Sequence, residues 1–95
     1  MIVVRMGSGA GWDPTAGPRG QRLWDEHAAF IDDLFDRGLI ELAGPLADGS
    51  GALVVVRSDS VDEVRGWFAA DPWAVHDIRP VLDVREWTIF LDGRS

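Results

Sequence analysis

Hydrophobic and polar positions divide the chain into six blocks. Residues 1–6 (MIVVRM), 39–44 (LIELAG), 52–57 (ALVVVR) and 81–90 (VLDVREWTIF) are apolar runs bounded by turn residues, the pattern of strands. Residues 21–37 change period. Leu23, His27, Phe30 and Leu34 share one helical face, while Asp25, Glu26, Asp32, Asp33 and Asp36 take the others. Gly38 follows at the place where a helix closes through a left-handed residue. "SVDE" at 60–63 is a Ser-x-x-Glu capping box that opens a second helix, with Val61, Val64 and Phe68 turned inward. Residues 7–20 and 71–80 read as loops, and 45–51 as a hairpin connection.

The resulting order, βαββαβ, predicts an α+β, ferredoxin-like fold: a four-stranded antiparallel sheet with two helices on one face. In that arrangement the first and third strands are central, and here they hold the continuous apolar runs "IVV" and "ALVVV". The second and fourth are edges, and they carry Glu41, Asp83, Arg85 and Glu86, charges that discourage stray strand pairing. Two helices cover one face of a sheet, so central strands that are apolar on both sides need a second cover. The expectation is a homodimer formed through the open sheet face, because a monomer would leave an apolar patch in water.

Composition narrows the possible partners. The chain has 95 residues, 46% apolar and 26% charged, which suits one domain spanning 1–95. A net charge of -7 repels polyanions, so neither nucleic acid nor a membrane surface is expected as a partner. The absence of cysteine excludes disulfides and thiolate catalysis. The initial apolar run is too short for a signal peptide and is interrupted by Arg5, which points to a cytoplasmic protein.

Candidate chemistry centres on His27. An imidazole on an apolar helix face is either a core group bonded to its neighbours or a proton-transfer group. Asp71, in "FAADPWAV", has two readings as well: an N-cap ahead of Pro72, or a carboxylate near the histidine. With both helices on one side of the sheet, the loop after the second can approach the middle of the first. A carboxylate placed there hydrogen-bonds the imidazole and sets its tautomer. Trp24 lies three residues before His27 and Trp73 two residues after Asp71, so these two, with Trp12, are candidate walls of a pocket for a ring compound. Arg19 and Arg22, near the start of the first helix, are candidates to receive a substrate anion, or else solvated surface charges. "GSGAG" at 7–11 does not open directly onto a helix, which argues against a phosphate loop and for a mobile loop. His76 and Asp77 match no metal-ligand spacing, and no serine sits in a G-x-S-x-G elbow, so no metal and no serine hydrolase are expected.

Several of these features together resemble the YciI-like (YCII-related) family. They are the helical His27, "GLIELAGPL" at 38–46, the strand start at Gly51, the Ser60-capped helix running to Asp71-Pro72, and a last strand containing Trp87. The resemblance extends from about residue 19 onward. It implies a dimeric α/β barrel of ferredoxin-like protomers, and a His–Asp pair that maps onto His27 and Asp71. Where chemistry is assigned in that family it is dehydrochlorination of a small ring compound. The Gly/Pro-rich loop before the first helix and "HDIRPVLD" before the last strand depart from the family's common pattern, and with them the identity of any substrate. The functional expectation is a cofactor-independent proton-transfer enzyme, a lyase or isomerase, acting through His27 and Asp71. The alternative is a non-catalytic homodimeric module that binds a small ligand or a protein.

Overall fold

The structure, a computed structural model, describes residues 1–94. Strand β1 (Ile2–Met6) pairs antiparallel with both β3 (Ala52–Val56) and β4 (Val81–Glu86), and β2 (Ile40–Pro45) pairs with β3, giving the order β2-β3-β1-β4. The central strands are therefore the two continuous apolar runs. Their alternation divides the sheet: Ile2, Val4, Val54 and Val56 face the helices and are buried, while Val3, Leu53 and Val55 face the other way. Helices α1 (Trp24–Asp36) and α2 (Val61–Ala69) cover the first of these faces through Leu34, Val64 and Phe68, with Phe30 edge-on to Phe68. Among the described residues no helix is long and apolar enough to cross a membrane.

Several segments differ from expectation. Helix α1 begins at Trp24, not at residue 21, because Leu23 adopts a left-handed conformation (φ 63°) that starts a new direction of chain. Gln21, expected inside the helix, is buried in the preceding loop. Its side chain accepts from Asp13 N–H and donates to the carbonyls of Asp13, Ala16 and Gly17, which folds residues 13–17 around it. Strand β4 stops at Glu86 instead of reaching residue 90. The glycine-rich 7–11 segment is no free loop: Gly7, Gly9 and Gly11 donate their N–H groups to the carbonyls of Pro80, Ile78 and Asp77. A Cβ on Gly9 would collide with the Asp77 carbonyl oxygen, so close approach of two backbones explains that glycine.

The helix ends keep closer to the sequence signals. Gly38 (φ 76°) donates to Phe35 O and Leu39 donates to Leu34 O, a Schellman closure. Ser60 Oγ accepts from Glu63 N–H, as half of a capping box requires. In the other half, the Ser60 N–H donates to Ser58 Oγ in place of the Glu63 carboxylate.

One irregularity in β2 changes the sheet surface under α1. The register with β3 shifts between Ile40 and Leu42, so Leu42 turns to the open face while Ala43 pairs with Val54 toward the helices. The bulge exchanges a large side chain beneath α1 for a small one. Space is left there.

Candidate active site

A cavity of about 710 Å³ opens between α1 and the β2–β3 end of the sheet. Its floor is apolar and built partly from small residues, Ala43, Gly44 and Ala52, together with Met6 and Val54. Ile31, His27 and Trp24 of α1 face it on one side. The 3-10 turn Pro18–Gly20 lines it too, with exposed Arg19.

His27 and Asp71 meet at this wall. The imidazole Nδ1 lies 2.9 Å from both Asp71 carboxylate oxygens, although 44 positions separate the residues. Asp71 is fully buried, and the His27 side chain keeps 13% exposure. A carboxylate only accepts hydrogen bonds, so with Asp71 ionised Nδ1 carries the hydrogen and the ring's lone pair sits on Nε2. Among the described residues no side chain or backbone group bonds Nε2. The geometry presents a histidine oriented at one nitrogen and open at the other.

Asp71 also caps a short helix, α3 (Pro72–Val75), where its Oδ1 accepts from Trp73 N–H at 3.0 Å. Both of its sequence readings hold at once: pre-proline geometry and the cap fix the carboxylate, and the fixed carboxylate holds the imidazole. Trp73 completes the arrangement. Its indole stacks on the His27 ring, with centroids 3.8 Å apart and planes 4° from parallel, and its Nε1–H donates to the Arg22 carbonyl at 2.8 Å. Trp24 packs against both His27 and Trp73, and Trp12 meets Trp73 edge-on. The imidazole therefore has little rotational freedom.

The remaining candidates are dispersed. The Arg22 guanidinium is not among the cavity-lining groups and instead approaches His76 Nδ1 at 3.3 Å. Asp77 accepts from Ala10 N–H and helps clasp the 7–11 segment. Trp12 lines an adjoining cavity of about 550 Å³, not the one that His27 faces.

One residue at the site was not singled out from the sequence: Arg79. It lines both cavities yet is only 2% exposed. Its Nη1 donates to Gly7 O and Ser8 Oγ, and its guanidinium carbon lies 3.7 Å from the centre of the Trp12 ring. Burial pushes its pKa below the ordinary arginine value, though an arginine in a protein stays protonated. The signal available in the sequence was an arginine amid apolar residues in "HDIRPVL", which periodicity does not distinguish from a solvated loop charge.

No curated protein matches the chain. Among solved structures it is similar in fold to the 5-chloro-2-hydroxyhydroquinone dehydrochlorinase TftG from Burkholderia phenoliruptrix AC1100, solved in complex with 2,5-dihydroxybenzoquinone. The two share 20% sequence identity over 93% of this chain and 94% of that one, with a TM-score of 0.62. The family model for the YCII-related domain matches residues 10–88, beginning earlier than the motifs alone suggested, and the chain belongs to that family.

Proposed function

We propose that this protein is a proton-transfer enzyme that eliminates a leaving group from a small ring compound, with His27 as the base and Asp71 as its orienting partner. The observation that carries the reading is the His27 ring itself: Nδ1 is bonded to a buried carboxylate, Nε2 has no partner among the described residues, and the ring lines a mostly apolar cavity of about 710 Å³. In the reaction, Nε2 accepts a proton from an O–H or C–H that, in the non-aromatic keto tautomer of the substrate, is conjugated with the sp3 carbon bearing the leaving group. The electron pair of that bond moves into the ring system, and the leaving group departs with its own bonding pair. For a chlorinated substrate the net change is loss of HCl and gain of one double bond, with no external oxidant or reductant. Trp24 and Trp73 offer flat apolar walls for the ring, and Arg19 offers a positive charge beside it. The fold likeness to a dehydrochlorinase supports this class of reaction.

The test is a panel of chlorinated and non-chlorinated hydroxybenzenes assayed for chloride release and absorbance change, with metal chelated throughout. Turnover of at least one chlorinated member is expected. Binding across the panel without turnover would favour a ligand-binding module instead. The capping role of Asp71 already supplies a structural reason for that residue under this second reading.

We further propose that the protein pairs with a second copy through the open sheet face. Leu42 is 53% exposed there and Leu53 37%, beside a groove of about 690 Å³ that Trp87 also lines. Leu53→Arg is expected to convert a dimer into a monomer at micromolar concentration, as read by sedimentation equilibrium. An unchanged mass would point to a different interface.

A further inference from the structure

Arg79 poses a problem that the elimination chemistry leaves unsolved. A guanidinium removed from water is expensive unless an opposite charge accompanies it. Among the described residues no carboxylate forms an ion pair with Arg79; its compensation is one carbonyl, one hydroxyl and the face of Trp12. Both bonds use Nη1, and among the described residues the donors on Nε and Nη2 have no hydrogen-bond partner. The same residue lines the cavity that His27 faces.

We infer that Arg79 is the anion anchor of this cavity, and that the ring compound bound there is one carrying an ionised oxygen, a phenolate, enolate or carboxylate, received by the free donors of Arg79. The proposal rests on the reading of the cavity as a substrate site and adds the charge of the substrate to it. The planar guanidinium suits a planar oxyanion in the plane of an aromatic ring. The backbone holds it in place: Ile78 and Arg79 both donate their N–H groups to the carbonyl of Trp73, whose indole stacks on His27. One residue thus registers the base and the anchor against each other. An oxyanion on Arg79 supplies the opposite charge that this buried cation lacks.

The probe is 4-nitrophenol, which ionises near neutral pH and reports its ionisation by absorbance, compared with its neutral methyl ether, 4-nitroanisole. The wild-type protein is expected to bind the phenolate at least tenfold more tightly than the ether. The ionisation of the bound phenol should move down by about one pH unit or more. Arg79→Gln is expected to lose both effects and Arg79→Lys to keep part of them. His27→Gln should retain the preference, which separates an anchor at Arg79 from a proton taken by His27. It also separates failure of this proposal from failure of the catalytic one. Because Arg79 is buried, the glutamine variant is checked for folding by circular dichroism. If it does not fold, the Arg79 Nε–H resonance of the wild type decides, shifting with the phenolate and not with the ether. Equal affinity for phenolate and ether, or an Arg79 resonance indifferent to the anion, would overturn the assignment.

Discussion

Changing His27 to glutamine is expected to lower turnover by about 10²–10⁴-fold, the range for loss of a positioned base, while leaving the fold intact. Glutamine retains an N–H group that can donate to Asp71, so the buried carboxylate is not left without a partner, yet it offers no basic nitrogen to the cavity. The position tolerates a polar group already, since the side chain is 13% exposed and reaches the cavity edge. The measurement is steady-state kinetics on whichever panel compound turns over, with circular dichroism and melting temperature as controls. Turnover within a fewfold of wild type would remove His27 from the chemistry and leave it as a packing element beneath Trp73.

The second large effect is expected at Asp71, and its physical origin differs. Asp71→Asn keeps the shape of the side chain and can keep the cap on α3, since the amide oxygen still accepts from Trp73 N–H. What changes is the partner offered to His27. With that oxygen occupied by the cap, the amide N–H₂ faces Nδ1 as a donor, which draws the ring into the tautomer with its hydrogen on Nε2. The nitrogen at the cavity then donates when the reaction needs an acceptor. A loss approaching that of the histidine variant, on the order of 10²–10³-fold, is expected. The distinguishing readout is the imidazole ¹⁵N spectrum, where the protonated nitrogen should switch from Nδ1 to Nε2. Full activity together with a switched tautomer would disconnect the pair from catalysis.

These expectations depend on parts of the molecule that were legible to different degrees. The βαββαβ order allows Asp71 to approach His27, because both helices then lie on one side of the sheet, but the contact itself needed the tertiary structure. The stacking of Trp73 on His27 does not follow, since the sequence places Trp73 only two residues from Asp71 and says nothing of ring orientation. Arg22 reads like Arg19 in the sequence, yet one guanidinium turns to His76 and the other residue lines the cavity. Arg79 was indistinguishable from a surface charge until the 7–11 segment was seen folded over it, with Gly7 and Ser8 supplying its bonds.

The sequence by itself determined the local decisions. The central place of β1 and β3 follows from their continuous apolar runs, the end of α1 from Gly38, and the start of α2 from Ser60, the last two because each depends on backbone sterics and on bonds between residues a few positions apart. The tertiary structure alone decided what depends on distant segments meeting: the bulge that sets Ala43 rather than Leu42 beneath α1, the clasp of residues 7–11 on 77–80, and the burial of a guanidinium beside the cavity. Such features are settled by packing and by the balance of desolvation against contact, which no stretch of chain reveals until its neighbours are in place.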